Sequence, residues 1–141
     1  MLSTEKDTFV NYKAKVKQVD RIFLKAEQIK QVAEKTFDTD RLNQGRDIFL
    51  FCCFTGLAYA DVQKLTRSEI IKGADGEMWI VTKRLKADTQ TKVPLLPAAL
   101  TMQEKYSNDP LYNIKDKALP VSTNQKMNLK VVRITTEKLN R

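Results

Sequence analysis

Seven consecutive apolar residues at 48–54 (IFLFCCF) set the first constraint on how this chain folds. A run with no polar face predicts an element that is buried over this stretch. Over so short a stretch, periodicity fits a buried strand as well as a buried helix. Leu42 stands seven residues before Phe49, about two helical turns, which favours a helix that becomes fully buried at its end. Asp38, Thr39 and Asp40 are candidate N-caps, and Thr55-Gly56 is a stop, with Gly56 suited to a helix C-terminus. Cys52 and Cys53 lie inside the run. Adjacent cysteines bridge only with strain, so they read as two reduced core thiols of a cytosolic protein.

The first-half and C-terminal helices are expected to pack around a small antiparallel sheet. Residues 24–37 carry Leu24, Ile29, Val32, Ala33 and Phe37 close to helical spacing. The lysine-rich stretch before them, 7–21, reads as a linker, giving a basic arm over 1–22 and one folded domain over 23–141. A second short helix is predicted from Leu57, with Leu57, Val62 and Leu65 turned inward. The period then changes. Residues 69–71 suggest a short strand, 73–76 (GADG) a turn, 78–82 (MWIVT) a strand, and 92–96 (KVPLL) its partner. Pro94 puts that partner at an edge or irregular point of the sheet. Trp79 and Ile80 point to opposite faces of a strand, and Ile80 is predicted to be the more buried. Between the strands, 83–91 (KRLKADTQT) forms a polar loop too long for a tight hairpin. Further helices are predicted over 97–106, with Pro97 in the first turn, and over 123–139. The predicted fold class is α+β, mainly helical, with a small three-stranded antiparallel sheet near 69–96.

The net charge of +8 is uneven. Residues 1–25 hold six Lys/Arg against three Asp/Glu, residues 113–141 hold seven against two, and the middle is balanced. Basic charge gathered in this way is the footprint of a protein that meets a polyanion, although solvated surface lysines give the same count. The chain has no histidine. That excludes Ser-His-Asp and Cys-His catalysis, imidazole acids and bases, and histidine-ligated zinc. Two cysteines cannot build a four-thiolate site, and no phosphate-cradling glycine motif occurs. Neither metal nor cofactor is expected. No stretch approaches the ~18 apolar residues of a membrane span, and MLSTEKDTF has no apolar signal core. A cytoplasmic protein without membrane contact is therefore expected.

Residues 54–65 (FTGLAYADVQKL) resemble the first catalytic box of the tyrosine recombinases, and look most like integrases of mobile elements in Bacteroides-type bacteria. The family version is a Thr-Gly-Leu turn, a catalytic arginine, an acid three positions on, and a leucine-rich helix. MWIV, the lysine-bearing RLKADTQT and a returning Val-Pro-Leu follow in the family's order of strand, loop and strand, and LPVSTNQKMN resembles the stretch before the second box. The resemblance covers roughly 9–130. It implies a partial tyrosine-recombinase catalytic domain over 23–141 and DNA as the partner. In the family a tyrosine attacks a phosphodiester, two arginines clamp the phosphate, and a hairpin lysine protonates the departing 5′-hydroxyl. Carried over position by position, Lys86 matches the hairpin lysine and Asp61 the supporting acid.

Ala58 stands where the first arginine belongs, and alanine cannot clamp phosphate. The second box needs a histidine and an arginine three apart and is absent. Tyr12, Tyr59, Tyr106 and Tyr112 all lie outside the nucleophile's context. The resulting expectation is the front portion of a recombinase catalytic domain, truncated, unable to exchange strands, and a monomer in isolation. Lys83, Arg84, Lys86 and Lys92 are the candidate DNA contacts, through phosphate rather than base edges. The alternatives are a non-enzymatic DNA-binding regulator that keeps half of the catalytic fold, and a helical interaction protein whose basic ends only solubilise it.

Overall fold

The structure, a computed structural model, describes residues 13, 14, 18, 23–110 and 115–139. Apart from residues 13, 14 and 18, the expected basic arm at 1–22 lies outside the described residues. The described elements, in chain order, are α1 (Ala26–Glu34), α2 (Asp40–Thr55), α3 (Tyr59–Lys64), a 3-10 turn (Arg67–Glu69), β1 (Ile70–Lys72), β2 (Met78–Lys83), β3 (Gln90–Pro94), α4 (Pro97–Ser107) and α5 (Asn124–Leu139). The protein is α+β with a three-stranded antiparallel sheet of order β1-β2-β3. Among the described residues no helix is long and apolar enough to cross a membrane.

The 48–54 run is helical. The Thr39 carbonyl starts α2 by accepting the amides of Leu42 and Asn43 at 2.9 and 3.1 Å, and the Thr39 side chain makes no cap bond. Gly56 ends it at φ 67°, a left-handed conformation that glycine adopts without a Cβ penalty, and its amide donates to the Cys52 carbonyl at 2.9 Å. The expected complete burial of the run needs correction. Ile48, Leu50 and Phe51 are buried, Phe49, Cys52 and Phe54 are half-buried, and Cys53 is exposed. Successive residues turn by about 100° around a helix, so even a central helix covered from two sides leaves one line to solvent. Both thiols are free, yet only Cys52 fits the reading as a core thiol. Burial, with the neighbouring Cys53 adding to it, pushes the Cys52 thiol up to about 12.

The two covered sides of α2 meet different cores. Phe51 packs with Val62, Leu65, Ile80, Leu95 and Leu119 between α2, α3, the sheet and α4. Leu50 packs with Val32, Phe37, Leu42 and Ile134 between α1, α2 and α5. Phe37 was expected at the end of the first helix but lies beyond it. Its amide and carbonyl both bond to the Asn43 side chain, at 2.8 and 2.9 Å, which buries the ring from a loop. Leu24 likewise precedes α1, and α3 starts two residues after Leu57. Leu57, Val62 and Leu65 are all buried, as the spacing predicts.

In the sheet, Ile80 sits between Ile70 and Val93 on the core face and is fully buried. Trp79 lies on the opposite face between Ile71 and Pro94, half-buried, with its Nε1 donating to the Asp75 carboxylate at 3.1 and 3.2 Å. The partner strand occupies 90–94 rather than 92–96, so Pro94 closes an edge strand instead of standing inside it. The loop is accordingly shorter than expected, six residues from 84 to 89. The Arg84 amide donates to the Thr89 carbonyl and the Asp88 amide to the Arg84 carbonyl, both at 3.0 Å. Asp88 takes a left-handed φ of 49°, which a short polar side chain tolerates.

Candidate nucleic-acid interface

The tip of the β2–β3 hairpin is held by an acid from another element. Asp61 lies in the first turn of α3 and is only 3% exposed. Its Oδ1 accepts the Leu85 amide at 2.9 Å across 24 residues of sequence. The carboxylate therefore fixes the loop at the residue immediately before Lys86. A bond to an ionised acceptor is among the stronger ones, at about 1.5–3 kcal/mol. The structure thus brings Asp61 and Lys86 to one loop, and Lys86 itself is exposed there.

The other basic residues divide by strand register. Lys83 pairs with Gln90 and Lys92 with Val81, so Lys83 and Lys92 emerge on the sheet face that carries Trp79. Lys83 Nζ also meets Asp88 Oδ1 at 2.7 Å, an exposed ion pair of at most ~1 kcal/mol that yields readily to a competing anion. Arg84 is exposed in the loop. Lys83, Arg84, Lys86 and Lys92 therefore cluster on one hairpin, Lys83 and Lys92 from its strands and Arg84 and Lys86 from its loop. Ala58 is the exposed residue at the start of α3, one turn before Asp61.

Two of the remaining arginines serve the fold. Arg67 donates from Nε to the Lys117 carbonyl at 3.1 Å and from Nη2 to the Tyr106 carbonyl at 3.4 Å. Arg46 is taken up by a buried cluster that sequence reasoning missed. Asp47, 4% exposed, accepts Arg46 Nε and Nη2 at 2.9 and 2.7 Å, Lys105 Nζ at 2.7 Å and the Tyr106 hydroxyl at 2.6 Å. Arg46 Nη1 also donates to the Lys35 carbonyl. Burial pushes the Asp47 carboxyl up, but the bonds from Lys105, Tyr106 and Arg46 outweigh it and hold the group below its ordinary value. No buried side-chain polar atom among the described residues lacks a partner, and the cluster joins α2 to α4 and to the α1–α2 connection.

The tyrosines with described side chains are likewise structural. Tyr106 ends on Asp47, and the Tyr59 hydroxyl donates to the Ser122 carbonyl. Burial raises the Tyr59 phenol, and the nearby Cys52 adds to the effect. Lys130 Nζ reaches the Ser122 hydroxyl at 2.9 Å, so this one residue ties α3 to α5. Tyr12 and Tyr112 lie outside the described residues. Among the described residues no group of three or more Cys, Asp or Glu side chains could hold a metal ion. The chain matches no protein-family model, no characterised protein and no solved structure.

Proposed function

We propose that this chain carries part of a tyrosine-recombinase catalytic fold and contacts DNA phosphates through the β2–β3 hairpin, without catalysing strand exchange. The observation that carries the reading is the bond from the Leu85 amide to Asp61. Asp61, which matches the family's supporting acid, anchors the residue next to Lys86, which matches the hairpin lysine, and this supports assigning the two to one site. The contact is electrostatic. Lys83, Arg84, Lys86 and Lys92 present charge without a helix or strand seated to read base edges, so affinity falls in the non-specific range of ~10⁻⁴ to 10⁻⁶ M. Catalysis is lacking because Ala58 provides no guanidinium and the chain has no histidine for a His-x-x-Arg box.

Duplex DNA titrated at several salt concentrations tests the contact. Neutralising about four phosphates predicts a log–log slope near −3.6, and Lys86→Ala makes it shallower by about 0.9. A slope indistinguishable from zero overturns the electrostatic contact. Incubation with a suicide substrate carrying a recombinase site should leave no covalent adduct. A denaturation-resistant adduct, lost on replacing any one of the four tyrosines, overturns the claim of inactivity.

A further inference from the structure

The chain after α4 returns beside α3 and is pinned there. The Ala118 amide donates to the Leu65 carbonyl at 3.1 Å, the Arg67 amide to the Asp116 carbonyl at 3.3 Å, and Thr66 bridges Lys117 in antiparallel fashion. Lys117 Nζ crosses to the Gln63 carbonyl at 3.1 Å. Along this seam runs a groove of about 470 Å³ that combines two unlike linings. Leu85 and the half-buried Val121 make it apolar above the core residue Leu119, and Leu85, at the hairpin tip, is 60% exposed although its amide is fixed by Asp61. Lys64, Lys115 and Lys117 make it cationic, and no acid lines it among the described residues.

We propose that this groove docks a short acidic segment of a partner protein, which seats one apolar side chain against Leu85 and Val121 and turns its carboxylates to the three lysines. The charge selects an anionic partner, and the apolar wall selects among anions. A duplex backbone satisfies the lysines but has no side group to cover Leu85 or Val121, whereas an acidic peptide with a leucine or phenylalanine does both. Nor, among the described residues, does an arginine line the groove, the fork that matches phosphate oxygens pairwise. An apolar anchor in a pocket ringed by charge is the usual division of labour in peptide recognition. The inference goes beyond the DNA contact proposed above and stands without it.

The test is fluorescence anisotropy of a labelled peptide of Asp and Glu around a central Leu, titrated with the full chain. The same peptide with Leu replaced by Ser should bind about tenfold more weakly or worse, as for other losses from an apolar pocket. Two variants separate the contributions. Lys64→Glu/Lys115→Glu reverses charge without touching the Lys117–Gln63 bond. Ala60→Phe, at an exposed lining position of α3, fills the groove and leaves charge unchanged. Each should weaken the peptide by about tenfold, with circular dichroism matching the parent chain. Duplex DNA affinity should be unaffected by Ala60→Phe. Three results overturn the proposal. One is no saturable binding. Another is binding indifferent to both the central Leu and Ala60→Phe, which makes the lysines a mere charge sink. The third is duplex DNA that competes for the groove and weakens as much as the peptide on Ala60→Phe, which assigns it to nucleic acid.

Discussion

Replacing Asp47 by asparagine keeps the shape of the buried cluster and removes its charge. Three donors then face an amide. Lys105, whose side chain is 53% exposed, returns to water at little cost, and Tyr106 keeps an acceptor in the amide oxygen. Arg46 cannot leave so easily, because its side chain is 13% exposed and its other bond is to the Lys35 carbonyl. Removing one partner of a buried pair costs about 3–5 kcal/mol. With Lys105 free to rehydrate, the lower end applies, about 3 kcal/mol at neutral pH. At about 3 °C per kcal/mol for a chain of this size, the melting temperature should fall by roughly 10 °C. The pH dependence gives a second handle. The folded carboxyl titrates below its ordinary 3.8, so its stabilisation is fully present above that value and is lost as pH falls through the still lower folded value. Urea unfolding followed by circular dichroism at pH 7 and again near pH 3 measures both. A cost under ~1 kcal/mol at pH 7, or a gap between parent and Asp47→Asn that does not narrow in acid, refutes the account of the cluster.

Two more predictions follow from the hairpin and the sheet. Asp61→Ala should speed hydrogen exchange of the Leu85 amide and destabilise the chain by about 1–3 kcal/mol; unchanged exchange at Leu85 means that the carboxylate does not hold the loop. Ile80→Ala, in the fully buried centre of β2, should cost about 2–5 kcal/mol in urea unfolding, and under ~1 kcal/mol places that face outside the core.

Much of the architecture was legible because it is written in local patterns. The 78–82 strand, Pro97 in a first turn and Gly56 after α2 each follow from residues within one element, and each stands where expected to within a residue. Errors arose where burial came from elsewhere. Phe37 imitated the next turn of a helix, yet the Asn43 side chain buries it from a loop. Cys53 sits in an unbroken apolar run but falls on the line of α2 that no described element covers. Pro94 can end a strand as well as sit irregularly inside one, and its sequence neighbours do not distinguish the two. At the candidate site, Asp61 and Lys86 could be singled out only by their resemblance to family positions. The bond through Leu85 is a tertiary fact. Asp47 left no mark at all, because its partners Lys105 and Tyr106 lie 58 and 59 residues away and a single acid in a polar stretch reads as surface. The lysines at 115 and 117 read as tail charge in the sequence, and the bridge from Thr66 to Lys117 brings them beside α3.

The reach of the hairpin's anchor also bears on the order in which the molecule assembles. Every ladder of the sheet closes between residues 70 and 94, and the Asp61–Leu85 bond spans 24 residues. The contact of α5 with α2, where Lys130 lies against Gly45, closes a far longer loop. Loop-closure entropy grows with separation, and folding speed tracks the mean sequence distance of contacts. The sheet's ladders, its basic tip and the acid beneath it thus close shorter loops than the docking of α5 on α2, and α5 is expected to dock after them. Substitutions at Ile80 should slow folding, and substitutions at Ile134 should mainly speed unfolding. The lysine loop would then reach its final shape on a chain whose last helix has not yet docked.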